Sequence, residues 1–318
     1  MKPILEEKNI KNNISIAVQR LLDGNLVIVP TETVYGIGAD ATNSAAVKKI
    51  YHIKNRPFNN PIICHFKDLE KVKEHAELND TALKIAQKFW PGPLTLILKK
   101  RKKSKISDLV SNNMDLIGCR IPNHPLTLKI MQALNRPIAA PSANISTKLS
   151  STNIEHLDSK LKKNVFIING GSCHYGLEST VISAYSNKPK ILRYGSITEE
   201  EIKKIISNIN TDVLEKLKPL SPGQNNKHYS PNIPIRINID KVLEGEVLLN
   251  FGSNKLFSNR CELNLSPTAN LTEAAKNFFD YLHQLDRNNY KGIAVAPIPN
   301  YGLGKTINDR LKRAILKK

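Results

Sequence analysis

The sequence predicts an α/β protein with one large sheet, followed by a smaller α/β unit. Strand and helix patterns alternate along the first two thirds of the 318 residues. A stretch rich in proline and polar residues interrupts this alternation, and a strand–helix–strand–helix order follows it, which is typical of a small parallel sheet. A chain of this length also exceeds the usual size of a single hydrophobic core, so two domains are expected.

The first unit opens with a helix, a turn and a strand. Apolar side chains recur at helical spacing over residues 14–22, Gly24 marks the turn, and the β-rich run 26–29 stops at Pro30. A second helix is predicted over residues 45–54, with Ser44 as its N-cap. The other predicted helices cover residues 82–89, 126–134 and 199–209, and the other predicted strands cover residues 61–66, 94–98, 116–121, 138–140, 165–169 and 180–183.

The second unit follows a predicted linker over residues 216–234. This stretch holds four prolines and has neither the helical nor the strand period. The predicted elements after it are strands over residues 246–251 and 292–297 and helices over residues 272–285 and 307–315. The sequence therefore predicts a first domain over residues 1–215, the linker, and a small Rossmann-like domain over residues 235–318.

The chain is strongly basic, with 47 Lys and Arg residues against 28 Asp and Glu residues and a net charge of +19. Such a charge attracts phosphate-rich partners, either nucleotides or RNA. It is equally typical of a lysine-rich protein whose basic faces are solvated. Charge alone therefore does not decide the function.

The cysteines and the apolar segments bear on the compartment. The four cysteines lie far apart and form no CxxC pair, which indicates neither a zinc site nor a disulfide framework and fits a reducing environment. The N-terminus lacks a signal-peptide pattern, and no stretch approaches the roughly 20 apolar residues needed to span a bilayer. A cytoplasmic protein without a membrane segment is expected.

Two segments at strand or helix ends carry groups suited to small polar ligands. In PTETVYGIGAD, residues 30–40, hydroxyls, a carboxylate and two glycines follow a strand, and the glycines allow close approach of a ligand to the main chain. In KNRPFNNPIICH, residues 54–65, Lys54 and Arg56 stand beside prolines that stiffen the loop, an arrangement that suits a polyphosphate. The same residues can also be explained without a ligand. The first segment is compatible with an ordinary strand end, Lys54 with a favourable position in the dipole of a helix C-terminus, and His65 with a position in the core.

Further polar segments are less distinctive in isolation. Residues 139–151 are dense in small hydroxyls around Ser142 and Asn144, without the partners of a serine hydrolase. The run Gly176-Leu177-Glu178-Ser179-Thr180, together with Arg193 further on, is equally compatible with a turn. These segments gain meaning only in combination.

Two features lie nearer the C-terminus. His228 and Tyr229 fall within the predicted linker and are compatible with an ordinary loop. Residues 299–306, PNYGLGKT, imitate the end of a phosphate-binding P-loop. Because Pro299 occupies the position where that loop requires glycine, a Walker site is not predicted.

Taken in order, these segments resemble the YrdC-like threonylcarbamoyl-AMP synthases, in the long form with a C-terminal accessory domain. The blocks that resemble the catalytic domain are PTETVYGIGAD, KNRPFNNPIICHF, WPGPLTLIL, CRIPNHP, APSANIS and GLESTVI. SPGQNNKHYSP resembles the family's linker, and YGLGKTINDRLKRA resembles the end of its accessory domain. The KxR and SxN pairs that mark the family stand at Lys54-Asn55-Arg56 and Ser142-Ala143-Asn144. The resemblance covers nearly the whole chain.

The resemblance implies a twisted mixed sheet with helices around a basic cavity, in which ATP and L-threonine bind side by side beneath the linker. It implies catalytic roles for Lys54 and Arg56. The residues implied to bind L-threonine are Thr33, His65, Arg120, the backbone near Ala140, and Thr180. The residues implied to bind ATP are Arg56, Asn60, the backbone near Leu116, Ser142, Asn144, Ser150, Arg193 and Tyr229.

The reaction implied by the resemblance joins L-threonine, bicarbonate and ATP into threonylcarbamoyl-AMP and releases pyrophosphate. Mg²⁺ accompanies the nucleotide, and no metal ligand is implied on the protein. The product serves threonylcarbamoyladenosine modification of tRNA through downstream transfer proteins, and weak contact with RNA fits the net charge. This chemistry requires positioning and charge neutralisation rather than a protein nucleophile.

Two other functions are compatible with parts of the sequence. An RNA-binding translation or ribosome-assembly protein requires only the positive charge and a concave basic surface, but no basic stripe with interleaved aromatic residues supports it. A hydrogenase-maturation carbamoyltransferase shares a related domain, but that family carries zinc-binding cysteine clusters that this sequence lacks. The synthase interpretation accounts for more of the segments than either alternative.

Overall fold

The structure, a computed structural model, describes residues 7–211 and 228–315. The helices of these residues are α1 (Glu7–Leu22), α2 (Ser44–Lys54), α3 (Leu69–His75), α4 (Asp80–Phe89), α5 (Asp108–Ser111), α6 (Pro125–Leu134), α7 (Ser159–Asn164), α8 (Glu199–Lys203), α9 (Leu271–Leu285) and α10 (Gly302–Ile315). The strands are β1 (Val27–Val29), β2 (Gly36–Asp40), β3 (Ile63–His65), β4 (Ala76–Glu77), β5 (Leu94–Lys100), β6 (Leu116–Arg120), β7 (Ile138–Ala139), β8 (Phe166–Ile167), β9 (Thr180–Ser183), β10 (Lys190–Arg193), β11 (Ile235–Ile237), β12 (Glu246–Asn250), β13 (Glu262–Asn264) and β14 (Gly292–Val295). Most of the predicted linker, residues 216–227, lies outside the described residues.

The first unit is built on a mixed sheet with the strand order β10-β9-β5-β6-β3-β7-β2-β1-β8, and β4 pairs with β5. Helices cover both faces. Because side chains alternate along a strand, Ile28 of β1 belongs to the hydrophobic cluster that includes residues of α2 and α4, whereas Val27 and Val29 belong to a separate cluster with residues of α1 and α6. This arrangement confirms the predicted large mixed α/β sheet.

The second unit contains a four-stranded sheet in the order β11-β14-β12-β13, and every pairing in it is parallel. Its core joins Val247 and Val295 of the sheet to Phe278 and Phe279 of α9 and Leu311 of α10. The small parallel α/β unit predicted for this region is therefore confirmed. The exact domain boundaries stay predictions.

Strand β2 was not predicted, because its sequence, GIGAD, has two glycines and little β-propensity. The glycines are required because residues 138–140 of the same sheet approach the backbone of β2 closely. A Cβ added to Gly38 would lie 2.8 Å from Cγ2 of Ile138, and one added to Gly36 would lie 3.3 Å from Cβ of Ala140. Close packing beside β7 therefore requires glycines, and their low β-propensity prevents the strand from being recognised in the sequence.

Several helix ends differ from the predictions, and α1 covers Glu7–Leu22 rather than residues 14–22. The N-cap of α2 is Asn43, whose side chain accepts from the Ala46 amide at 3.1 Å, rather than Ser44. Helix α8 ends at Lys203 instead of residue 209, because the chain turns back to pair the Asn210 main chain with residues 189–191. Helix α10 begins at Gly302 instead of residue 307.

The segment that imitates a P-loop forms the first turns of α10 and joins the two units. Lys305 Nζ lies 2.6 Å from Glu199 Oε2, and the Thr306 hydroxyl donates to the Gly195 carbonyl at 3.0 Å. Both partners belong to the first unit. The lysine and the threonine that imitate a Walker motif therefore hold the units together.

The cysteines of the chain are all free thiols. Cys64, Cys119 and Cys173 are buried, and Cys261 is partly exposed. Within residues 7–211 and 228–315, no helix has the length and apolar character needed to cross a bilayer.

Gly176 provides a test of how closely the units pack. We expect Gly176→Ala to lower the free energy of unfolding more than Gly171→Ala does. Both glycines have left-handed φ angles, +71° and +76°, for which alanine costs about 1–3 kcal/mol. Only the Cβ at position 176 would also lie 2.5 Å from the carbonyl oxygens of Ala275 and Lys276 in α9, which adds overpacking of about 1–3 kcal/mol.

Urea denaturation of the parent chain and the two glycine variants measures this difference. The Gly171→Ala variant is the matched control, because nothing lies within 4 Å of its added Cβ. Equal destabilisation by the two substitutions would contradict tight packing of α9 against residue 176.

Candidate active site

A narrow cavity lies where strand ends of the first unit meet His228 and Tyr229 of the predicted linker. The cavity volume is about 40 Å³. The predicted site residues that line the cavity are Arg56, His65, Arg120, Ala140, Ser142, Arg193 and Tyr229. Other lining residues, which the sequence did not single out as ligand contacts, are Thr31, Val34, Tyr35, Gly36, Ile63, Pro141, Glu178, Ser179 and His228.

Three adjacent strands place His65 and Arg120 side by side. Strand β3 ends at His65 and β6 ends at Arg120, and the two residues are register partners in a parallel pair. Strand β7 pairs antiparallel with β3 and leads directly into Ala140. Because parallel strands present their carboxyl ends at one edge of a sheet, both side chains reach the same part of the cavity.

Arg120 is held by a buried ion pair. Its Nη2 lies 2.7 Å from Glu32 Oε1 and 2.9 Å from the Thr33 hydroxyl, and the side chains of Arg120 and Glu32 are each only 5% exposed. Thr33 therefore lies behind Arg120 and outside the cavity lining. Within the described residues, Arg120 Nε and Glu32 Oε2 have no hydrogen-bond partner. The guanidinium is thus fixed in orientation while donor capacity remains for a carboxylate.

His65 is a neutral group in a cationic environment. Burial and then the nearby Arg120 charge lower the pKa of His65 to about 3. Its Nδ1 is buried without a hydrogen-bond partner among the described residues. The imidazole therefore offers a hydrogen-bonding group without a charge at neutral pH.

Arg56 and Arg193 form the cationic part of the wall, and neutral oxygens contact both guanidinium groups. Arg56 Nη2 donates to the Asn60 side-chain oxygen and to the Pro61 carbonyl, each at 2.6 Å. Asn60 thus positions Arg56 and does not itself line the cavity. Arg193 Nη2 donates to the Ser179 carbonyl at 2.7 Å and to the Ser179 hydroxyl at 3.1 Å.

The pKa values around these arginines reflect the concentration of positive charge. Burial, followed by the Arg193 charge among other influences, lowers the pKa of Arg56 to about 10, which leaves it a cation at neutral pH. Burial and the charges of Arg56 and Lys54 hold the pKa of His228 well below its ordinary value. The cavity therefore favours an anionic ligand.

Lys54 lies behind the loop that carries the SxN pair. Its ammonium donates to the carbonyl oxygens of Ser142 and Asn144, and the side chain is 1% exposed. Asn144 in turn accepts from the Ser142 hydroxyl and donates to the Lys148 carbonyl at 2.8 Å. Lys54 and Asn144 thus hold the loop so that Ser142 faces the cavity.

His228 and Tyr229, near the end of the predicted linker, cover the cavity. Tyr229 is 1% exposed and has a left-handed φ of 62°. Its ring lies against Phe279 of α9, with a centroid distance of 5.7 Å, and against the His228 ring at 4.0 Å. The second unit therefore holds Tyr229 over the first.

Besides Thr33, Lys54, Asn60 and Asn144, three further predicted residues do not line the cavity. The Ser150 hydroxyl donates to Glu178 Oε1 at 2.6 Å, so Glu178 separates it from the cavity. The Thr180 hydroxyl donates to the Ile197 carbonyl at 2.6 Å, and the preceding residue, Ser179, faces the cavity because side chains alternate along a strand. Leu116 begins β6, about 13 Å along the strand from Arg120. The substrate contacts proposed for these residues stay predictions.

Comparisons with known proteins decide the family. The family described as "Telomere recombination" matches residues 19–195, and the one described as "Threonylcarbamoyl-AMP synthase, C-terminal domain" matches residues 197–315. The threonylcarbamoyl-AMP synthase of Bacillus subtilis is 35% identical, and the alignment covers 95% of this chain and 92% of the relative. The chain belongs to the threonylcarbamoyl-AMP synthase family.

The structural match within this synthase family extends over both units. The threonylcarbamoyl-AMP synthase of Pyrococcus abyssi is 34% identical, with 95% of this chain and 93% of the relative covered. The crystal structure of P. abyssi Sua5 complexed with L-threonine matches with a TM-score of 0.86 at 32% identity, and covers 95% of this chain and 94% of that chain. The predicted long form of the family fold is thereby confirmed.

The position of Lys54 leads to a stability prediction. We expect Lys54→Met to lower the free energy of unfolding by about 2–4 kcal/mol, because two buried carbonyl oxygens lose their donor and each such loss costs about 1–3 kcal/mol. Lys49→Met is the matched control on the same helix, where the exposed ammonium donates to the Gly24 carbonyl at 2.7 Å. Its loss should cost about 0.5 kcal/mol. Denaturant titration without nucleotide measures both values, and comparable small losses would refute the structural role of Lys54.

The buried His65 leads to a pH prediction. Burial lowers its pKa from the ordinary value of 6.5, which the unfolded chain retains, to about 3 in the folded chain. Below pH 6.5 the unfolded chain therefore binds a proton that the folded chain does not, and stability falls as the pH falls from 6.5 towards 3. We expect His65→Asn to reduce the loss of unfolding free energy between pH 7 and pH 5 by about 2 kcal/mol. Denaturation curves at both pH values test this, and an unchanged loss in the variant would contradict burial of a neutral His65.

Proposed function

We propose that the chain is an L-threonylcarbamoyladenylate synthase, a nucleotidyltransferase that forms threonylcarbamoyl-AMP and pyrophosphate from L-threonine, bicarbonate and ATP. The observation that carries the proposal is one cavity with Arg120 and His65 in part of its wall and Arg56 and Arg193 in another. The family membership supports the reaction, and the L-threonine complex of P. abyssi Sua5 supports the amino acid.

The Arg120 end suits an amino acid. The remaining donors of the Arg120 fork would bind the threonine carboxylate, with Glu32 and Thr33 holding the fork in place. The nearby positive charge disfavours a protonated amine, and the neutral His65 does not oppose this effect. The α-amine is thereby favoured in the nucleophilic form that carbamate formation requires. The predicted contacts of threonine with Ala140 and Thr180 complete this proposed subsite.

The arginine end suits a nucleoside triphosphate. Arg56 and Arg193 would bind phosphate oxygens, because both guanidinium groups line the cavity and the neutral oxygens that hold Arg56 do not cancel its charge. Ser142 would present its hydroxyl to the nucleotide from the loop that Lys54 and Asn144 support. The proposed catalytic contribution of Lys54 is chiefly this support, because burial and then the Arg56 charge hold the pKa of Lys54 well below its ordinary value.

The remaining predicted ATP contacts surround this end. Asn60 acts through Arg56, and Ser150 acts through Glu178. Tyr229 would cover the nucleotide from the linker side, and the main chain near Leu116 stays a predicted contact. Each assignment can be tested by the Michaelis constant for ATP in the corresponding alanine variant.

The proposed reaction requires no protein nucleophile. The threonine amine attacks the carbon derived from bicarbonate, water leaves, and a carbamate forms. A carbamate oxygen then attacks the α-phosphorus of ATP, and the bond to the bridging oxygen breaks as pyrophosphate leaves with the electron pair. Arg56 and Arg193 would stabilise charge on the phosphates, and the cover of His228 and Tyr229 would keep water from the labile carbamate.

Mg²⁺ is proposed to enter with ATP as part of the substrate. Over residues 7–211 and 228–315, no group of three or more His, Cys, Asp or Glu side chains is arranged to hold a metal ion. Glu178 in the cavity wall is engaged by Ser150 and Arg310. Mg²⁺ commonly binds through substrate phosphates and water. We therefore assign its ligands mainly to the triphosphate.

The product and its partners follow from the same proposal. Threonylcarbamoyl-AMP is a reactive mixed anhydride, so transfer proteins that modify tRNA adenosine would take it up directly. The net charge of +19 supports weak contact with RNA during this step. We propose a cytoplasmic location, in keeping with the free thiols of the four cysteines.

Pyrophosphate release by the purified chain tests the function. With ATP, Mg²⁺ and bicarbonate, we expect release to depend on L-threonine and to fall at least about a hundredfold with L-valine, because a site that binds a hydroxyl rejects an isostere without it. The dependence on bicarbonate identifies the carbamate step. A reaction without amino acid controls for simple ATP hydrolysis.

Failure of this experiment would favour a different class of function. Folded protein that shows no threonine-dependent release, yet retains RNA in a salt-sensitive manner, would support the RNA-binding alternative. Release that required carbamoyl phosphate instead of bicarbonate would support a carbamoyltransferase.

A further inference from the structure

Arg310 of α10 is fully buried although it belongs to the second unit and carries a charge. Its Nε donates to Glu178 Oε2 at 3.0 Å, and its Nη2 donates to the Tyr194 carbonyl at 2.6 Å. Both partners lie in the first unit. Its remaining nitrogen, Nη1, contacts the neighbouring Asp309. A buried cation with this many charge-assisted contacts is expensive to remove.

Glu178 connects Arg310 to the cavity. It lines the cavity wall and precedes Ser179, whose carbonyl holds Arg193. Both carboxylate oxygens are engaged, Oε2 by Arg310 and Oε1 by the Ser150 hydroxyl at 2.6 Å. Burial by itself would raise the pKa of Glu178, but the charges of Arg310 and Arg193 and the Ser150 hydrogen bond bring it below its ordinary value. Glu178 is therefore an anion at neutral pH.

Arg310 also lies against the residue that covers the cavity. Its guanidinium carbon is 4.9 Å from the centroid of the Tyr229 ring, within the range of a cation–π contact. The same side chain thus contacts a cavity carboxylate and the tyrosine above it. Arg310 therefore links the second unit to both the wall and the cover of the cavity.

We propose that Arg310 is a positioning residue of the ATP subsite, which neutralises Glu178 so that a carboxylate in the cavity wall does not repel the triphosphate. The inference rests on the proposed function, because it assigns the arginine end of the cavity to ATP. Arg310 acts through Glu178 and does not itself line the cavity. The second unit would thereby supply part of the electrostatics of a site whose other cations come from the first.

The proposal predicts a pH dependence of ATP binding in an Arg310 variant that the loss of a purely structural contact would not produce. Without Arg310, the pKa of Glu178 rises, because burial is then opposed only by the Arg193 charge and the Ser150 hydrogen bond. The carboxyl is therefore more often neutral at lower pH and charged at higher pH. Repulsion of ATP then increases as the pH rises. Replacing Glu178 with glutamine removes the titrating group and should restore ATP binding.

The test compares Arg310→Met, Arg310→Met/Glu178→Gln and the parent chain between pH 6 and pH 9. Methionine fills the space against Tyr229 without a charge. In the pyrophosphate assay, we expect Arg310→Met to raise the KM for ATP about tenfold at pH 9 and by a smaller factor at pH 6. The KM for L-threonine should change less than about threefold. The double variant should bring the KM for ATP back to within about threefold of the parent value at every pH.

Arg236→Met is the matched control. Arg236 also belongs to the second unit and pairs with a carboxylate, Glu246, at 2.7 Å, but neither residue lines the cavity. We expect its KM for ATP to equal that of the parent chain. Thermal melting of each variant identifies any variant that fails to fold. If Arg310→Met fails to fold, the double variant still tests the role of Arg310, because it leaves no unpaired carboxylate at position 178.

Two results would overturn the proposal. One is a folded double variant whose KM for ATP stays about tenfold above the parent value. The other is an Arg310→Met variant with parent-like KM for ATP across the pH range. If the parent chain releases no pyrophosphate, the proposed function fails instead, and calorimetric binding of α,β-methylene ATP to the same variants tests Arg310 separately. In that measurement the same loss and rescue of affinity supports the proposal, and equal affinities refute it.

Discussion

The structure depends on keeping several cations buried around one cavity. An isolated charge in a protein interior is strongly unfavourable, so each cation requires acceptors at fixed positions. Lys54 and Arg56 receive neutral oxygens, mainly those of main-chain carbonyls, which stabilise a cation without neutralising it. Arg120 and Arg310 receive carboxylates. The choice of acceptor therefore determines where positive charge remains for a ligand, and Arg56 marks the part of the cavity best suited to phosphates.

The strand order brings these groups together from distant parts of the sequence. Parallel pairing of β3 with β6 aligns His65 with Arg120, and the neighbouring β7 delivers the loop that begins at Ala140. On the other side of β6, β5 pairs with β9, and the segment before β9 brings Glu178 to the wall. Substrate positioning is thus a property of strand ends in a rigid sheet. Such ends hold side chains more firmly than free loops do, as positional catalysis requires.

The sequence predicted the segments of the site better than the direction of each side chain. Periodicity and turn residues located most strands, and the family motifs located the residues at their ends. A linear motif does not reveal which neighbour faces the cavity, so Lys54 was expected at the phosphates but lies behind the Ser142 loop. Strand β2 was missed because close packing selects glycines that carry no strand pattern. The contact between Arg310 and Glu178 spans 132 positions, and no local pattern indicates it.

The sequence divides into a catalytic and an accessory unit, but residues of both units hold the wall and the cover of the cavity in place. Tyr229 lines the cavity, yet its ring packs on Phe279 and Arg310, which both belong to the second unit. Its left-handed backbone is unfavourable for a tyrosine and persists only because surrounding contacts hold it. Those contacts come mainly from α9 and α10 rather than from the cavity. The second unit therefore determines the position of a residue that lines the cavity of the first.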